Sequence, residues 1–221
     1  MTGLRWFHVG IGFFALAIFW VPALARKGGR LHVVAGRLFA ITMGLVSVSA
    51  LILSVALFTR PDSRTSGIFL GYLSILSAAS TWAGVQAARS PSRMVASAVA
   101  LQALTAISGL SIAVFGILHG NVVFIALGGV GAAIGGAAVK SGWRRPAGPN
   151  PWWRAHIAGM IGSGIAAYTA FLVFGGSRLV PALASGRWYW VFWLLPTAVG
   201  IPAIVLSIRR YSRVYRRPVG E

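Results

Sequence analysis

The sequence predicts an all-α bundle of about seven membrane-crossing helices, and three observations predict it. Apolar residues make up 57% of the 221-residue chain and charged residues 10%, with a mean hydropathy of +0.79. A water-facing surface needs roughly 25–35% charged residues, so this chain cannot cover one. The apolar residues fall in runs of the roughly 17–25 residues that span hydrocarbon as a helix. The cations gather in the short segments between those runs.

The first span is expected over 6–24, from Trp6 to its exit at Pro22. Arg5, the apolar run and Ala23-Leu24-Ala25 resemble a signal peptide. Arg26, Lys27 and Arg30 follow at once, however, and such charge resists translocation, so the run is expected to remain as a span. The second covers 32–58. The third, 67–88, follows the turn-like "TRPDSRTSG", and the fourth, 94–118, follows "ARSPSR". The fifth, 121–139, is glycine-rich, and Gly131 and Gly135 have the small-xxx-small spacing that favours close helix packing. The sixth, 152–174, opens at Trp152 and Trp153. The seventh, 188–208, opens at Trp188, Tyr189 and Trp190 and carries Pro196 and Pro202, which predict a kink. Tryptophan and tyrosine at span ends suit the membrane interface. A single helical domain, 1–208, is followed by a basic tail, 209–221.

Threading these spans puts fifteen of the twenty cations on one side and five on the other, namely Arg5, Arg60, Arg64, Arg178 and Arg187. The positive-inside rule then predicts an N-terminus outside, a cytoplasmic C-terminus and a multi-pass protein of the cell inner (plasma) membrane. The formal charge of +18 is read as facing membrane lipid, with anionic inner-leaflet lipid at the basic loops and tail, and not nucleic acid.

Composition also removes reaction classes. There is no cysteine, hence no disulfide, thiolate metal site or Cys nucleophile. The two acids, Asp62 and Glu221, lie outside the spans. A buried carboxylate relay, a paired-carboxylate hydrolase, an intramembrane Ser-His-Asp triad and a carboxylate site for magnesium or calcium are therefore not expected.

The chemistry left is imidazole. His8 and His119 fall toward the outer side, and His32 and His156 toward the inner side, each of the latter about one turn or less into its span. Glycines follow three of them at helical spacing: Gly12 after His8, Gly36 after His32 and Gly159 after His156. Such a glycine opens a gap on the histidine's face of the helix, for a flat macrocycle or for a neighbouring helix. Arg37 follows His32 and either snorkels to the head groups or binds an anionic group such as a phosphate or haem propionate. Gln86 and Gln102, and Tyr168 and Thr169, are read as cross-helix hydrogen-bonding groups or cavity lining.

Four stretches, "HVGIGFFALA", "KGGRLHVVAGRLFAITM", "WWRAHIAGMIGSGIAAYTAF" and "WLLPTAVGIPAIV", resemble the family of bacterial membrane proteins known as domain of unknown function 2306. The resemblance covers nearly the whole chain. The family's recurring positions fall on His8, Lys27, Gly28, His32, Gly36, Arg37, His156, Met160, Thr169 and Phe171, while His119 has no counterpart. It implies a membrane protein and assigns no activity. A looser likeness, to transmembrane dihaem cytochromes b, rests on histidines at helix ends near glycines and implies haem. It departs from that pattern in having no paired ligands deep within four helices.

The leading reading is an inner-side pocket around His32, Arg37 and His156, with Gly36 and His8 as further candidate cofactor-binding residues. In it His32 and His156 are the axial metal ligands of a haem b that transfers electrons. Two other readings stay open: a transporter or channel for a small solute, and a structural or partner-binding membrane protein without catalysis.

Overall fold

The computed structural model describes residues 2–90, 94–143, 152–176 and 189–215. The helices are α1 (Thr2–Leu24), α2 (Arg30–Phe58), α3 (Arg64–Arg89), α4 (Ala96–Leu118), α5 (Val122–Trp143), α6 (Trp152–Ala170) and α7 (Tyr189–Tyr215). A short 3-10 turn, Pro61–Ser63, leads into α3, and α6 continues as a π-helical turn over Phe171–Gly176. There is no strand among the described residues.

Among the described residues seven helices are long and apolar enough to cross a membrane. Their outward faces carry large apolar side chains, Ile41, Val48, Ile107, Ile117 and Val199 among them. Water would not tolerate so continuous an apolar surface, and hydrocarbon requires the internally bonded backbone that helices provide. The chain is a multi-pass helical membrane protein, and membrane lipid covers this surface.

The observed helices overrun several expected spans. The fifth reaches Trp143 rather than 139, and α7 runs to Tyr215, so the first part of the expected tail continues that helix. Backbone hydrogen bonding does not stop where hydropathy falls. Arg93, Arg144, Arg145, Arg178, Arg187 and Trp188 lie outside the described residues. Pro196 and Pro202 both lie inside α7.

Helix α3 packs against α2, α4 and α6. Helix α1 lies against α2 and α6, which closes a ring of α1, α2, α3 and α6. Helix α5 pairs with α4, and α7 packs on α6. Two apolar clusters fill the interior. One joins Phe69, Tyr72, Ile112, Phe124, Leu127 and Trp193 at the Asp62 end of the bundle. The other joins Ala15, Phe39 and Met43, with Phe19 and Met160 against them, and lies toward the opposite end, where Lys27 stands.

The helices approach closely where glycines meet. A Cβ added to Gly109 would come within 2.5 Å of Ala132 N, and one on Gly135 within 2.5 Å of Gln102 O. The small residues of α5 therefore admit α4 at backbone contact, with Gly135 in the packing role expected for it and Gly131 closed by the Tyr72 ring. With lipid outside as apolar as leucine, such packing is what holds helices together.

Candidate functional site: the paired histidines

The site begins at the end of α1. A helix leaves its last four carbonyls without intrahelical partners. Here Val21 O takes the Ala25 amide at 2.9 Å. Lys27 Nζ donates to Pro22 O at 2.8 Å and also to Ala23 O. The chain then reverses through Gly28, whose φ of +77° lies in the left-handed region that glycine adopts without strain. The reversal brings the first turn of α2 back beside α1, and His32 Nδ1 donates to the same Pro22 O at 2.9 Å. Lysine and histidine together cap one helix end.

Helix α6 supplies the second ring. His156 Nδ1 donates to Gly84 O, inside α3, at 2.9 Å. This reach depends on near contact between the two backbones. A Cβ on Gly159 would lie 2.6 Å from Gly84 N and 2.7 Å from Ser80 O. The gap after His156 is thus filled by α3 and not open to a macrocycle.

The rings of His32 and His156 meet edge to face, with centroids 6.1 Å apart and planes inclined at 69°. Trp152 stands one turn before His156, its ring centroid 6.2 Å away. A carbonyl only accepts, so both Nδ1 atoms carry the proton. In its neutral form each ring then presents an Nε2 lone pair. Metal-binding histidines show this arrangement, in which a hydrogen bond on one nitrogen fixes the tautomer and orients the other. Among the described residues no three His, Cys, Asp or Glu gather as a metal group.

Lys27 adds charge beside the pair. Partial desolvation, and then repulsion from Arg210 of α7, hold its ammonium below the usual lysine pKa. Lys27 is also within electrostatic reach of His156.

Of the two places expected for Arg37, the outward one agrees with its exposure. Five residues beyond His32 is about 140° around the helix, and the side chain is exposed with no hydrogen bond or ion pair among the described residues. Gly36, four residues on, does share the histidine's face, and a Cβ there would meet nothing nearer than Pro22 Cβ at 3.9 Å. His8 stands apart near the other end of α1, its Nδ1 2.8 Å from Ser49 Oγ of α2. Nothing lies within 4 Å of a Cβ on Gly12. His119 is exposed; its Nδ1 donates to Phe115 O at 2.9 Å and its ring stacks on Phe115 at 4.0 Å, an end cap of α4.

Gln102 bonds across helices, Nε2 to Ala79 O at 3.3 Å. Tyr168 Oη donates to Leu16 O at 3.0 Å and accepts from Trp20 Nε1 at 2.7 Å. Sequence reasoning missed the buried hydroxyl pair Thr81 Oγ1–Ser163 Oγ, 2.6 Å apart. Its signal was present, because Ser163 is two turns past His156 on the face that meets α3. No family model matches the chain, and neither does any curated protein or solved structure compared with it.

Proposed function

We propose that this protein holds haem b between His32 and His156 and serves electron transfer within the inner membrane. The observation that carries the reading is the adjacent pair itself: two imidazoles with centroids 6.1 Å apart, each with Nδ1 tied to a backbone carbonyl. A bare zinc-type ion takes about four ligands, mostly from protein, and the described residues offer two. A haem brings ring nitrogens of its own, so His32 and His156 would be the two side chains that hold it. The donor set therefore suits haem better than a free ion, and with the Gly159 side closed by α3 the macrocycle would have to lie on the Gly36 side of the pair. Bound there, the iron would supply one-electron chemistry, while the two carbonyls hold the rings in place. His8 has no part in this reading.

The charge asymmetry of the sequence supports an N-terminus outside, a cytoplasmic C-terminus and anionic lipid along the basic loops. The family resemblance rests on the quoted motifs and carries no activity of its own.

The test is an optical spectrum of detergent-purified protein. The expected result is a Soret band, with a sharp α-band on reduction, absent from His32→Ala and from His156→Ala. A colourless wild type from haem-replete cells ends the reading.

Passage of a small polar solute is the second reading. Ser47 Oγ, Ser77 Oγ and Gln102 Oε1 are buried without hydrogen-bond partners, on α2, α3 and α4. Buried polar atoms in lipid-embedded helices call for a partner such as water or solute. Flux of small polar solutes into liposomes, slowed by Ser47→Val and Ser77→Val, supports it; equal flux through all three proteins removes it.

A further inference from the structure

Hydroxyl groups inside this bundle mostly close on their own helix. Thr42, Ser49, Ser54, Ser74 and Thr105 each donate to a carbonyl three or four residues back. A helical serine is satisfied in that way without any neighbour. Ser77 departs from the pattern. It is 6% exposed, and its Oγ has no hydrogen-bond partner among the described residues.

The neighbours of Ser77 along α3 settle which way it faces. Thr81, one turn on, bonds Ser163 of α6, and Gly84, two turns on, abuts Gly159. Residues at i+4 and i+7 share a helix face, so Ser77 lies on the face of α3 that meets α6. The two helices run antiparallel, with Gly84 against Gly159 and Thr81 against Ser163. That register sets Ser77 opposite Ala166 and Ala167, and neither brings a polar side chain. On the face of α6 that meets α3, the nearest hydroxyl is that of Ser163.

The protons of this seam can be assigned. Thr81 Oγ1 lies 2.8 Å from Ser77 O. A carbonyl only accepts, so the single hydroxyl hydrogen of Thr81 points there. Ser163 therefore donates in the 2.6 Å bond to Thr81 Oγ1. Ser163, 0% exposed, keeps its lone pairs, and Ser77 keeps a donor. Four residues separate Ser77 from Thr81, about 6 Å along the axis. Two hydrogen bonds of about 2.8 Å through one bridging oxygen cover that length. No charged residue is buried among the described residues, so an ion in the seam would lack a counter-charge. The bridging molecule is neutral and small.

We propose that Ser77 and Ser163 hold a single buried water between α3 and α6. The water accepts from the Ser77 hydroxyl and donates to Ser163 Oγ. The seam is then bonded at three successive levels: His156 to Gly84, Ser163 to Thr81, and Ser77 through water to Ser163. The site shares Ser77 with the transport reading but requires no passage through the bundle, and it is independent of haem.

The experiment is a stability cycle on the full chain in detergent, joined to a density map in which waters are visible. Ser77→Ala is expected to raise the unfolding equilibrium constant about fivefold, the scale of one lost hydrogen bond. Ser77→Ala combined with Ser163→Ala should lose less than the product of the two, because both hydroxyls hold one molecule. Ser74→Ala removes a hydroxyl equally buried but bonded to Gly71 O, and should change the constant less than about twofold. The map should show one water within hydrogen-bond distance of Ser77 Oγ and Ser163 Oγ, and none there in Ser77→Ala. A Ser77→Ala chain more stable than wild type overturns the proposal, since relief of a dry polar group gives that result. So does a loss no larger than that of Ser74→Ala, losses that simply multiply, or a map in which Ser77 bonds its own helix. Solute flux into liposomes is read separately. Bound water without flux keeps the site and removes transport; flux with a dry Ser77 removes the site and leaves transport standing. Circular dichroism checks that each variant keeps its helicity.

Discussion

His156 and Gly84 are joined by a 2.9 Å hydrogen bond from the imidazole Nδ1 to the glycine carbonyl, and that bond exists because α3 and α6 touch backbone to backbone. The orientation of a candidate ligand is thus set by the absence of two side chains, at Gly84 and Gly159. Disturbing either glycine should move the ring.

The first expectation concerns that contact. Gly159→Ala places a Cβ 2.6 Å from Gly84 N, and the helices must separate. Overpacking of this kind costs about 1–3 kcal/mol, read as a lower unfolding midpoint in a denaturing-detergent titration. Gly12→Ala, with nothing within 4 Å of the new methyl, should be neutral or gain up to about 1 kcal/mol, the helix propensity of alanine over glycine. Equal effects would mean that the glycine contact does not hold the two helices.

The hydroxyl pair makes a second. Thr81→Val and Ser163→Ala each remove one partner of a 2.6 Å bond buried between α3 and α6. A double-mutant cycle should return a coupling of about 0.6–1.7 kcal/mol, the range for interhelical bonds in membranes. A coupling of zero would show that the two hydroxyls bond only to their own helices.

Tyr72 offers a third. Its hydroxyl donates to Leu127 O at 2.6 Å within the apolar cluster at the Asp62 end. Tyr72→Phe keeps the ring and loses the bond, so stability should fall by about 0.5–1.5 kcal/mol. The spectrum expected of the histidine site should stay unchanged, since the two lie at opposite ends of the bundle.

The pH dependence of stability gives the fourth. The folded pKa of Lys27 lies below its unfolded value, through desolvation first and Arg210 second. Between those two pKa values the unfolded chain binds more protons, so stability rises with pH across the window that ends near the ordinary lysine value of about 10.4. Below the folded pKa the penalty is fully present. Unfolding midpoints measured from pH 8 to pH 10.5 should climb more in the wild type than in Lys27→Met. Parallel curves would place the ammonium in bulk water.

Much of this architecture could be read from the chain because hydrocarbon imposes it. Span lengths follow from bilayer thickness, and Arg26, Lys27 and Arg30 mark the α1–α2 turn without reference to any contact. The level of His32 and His156 at one end of the bundle was legible for the same reason. What the sequence could not give was rotation about the helix axes. Gly36 and Arg37 are adjacent, yet Gly36 shares the face of His32 while Arg37 turns outward. The role of Gly159 depended on which helix arrived beside it, and that was settled by α3, which carries no histidine. Ser163 shares the face of His156, but its partner was not legible, because serine is common in such helices and Thr81 lies 82 residues away.

One oxygen atom, that of Pro22, accepts from Lys27 and from His32 at once. A carbonyl has two lone pairs, and here both are engaged. Any displacement of the Lys27 ammonium therefore acts on the same peptide unit that orients the His32 ring.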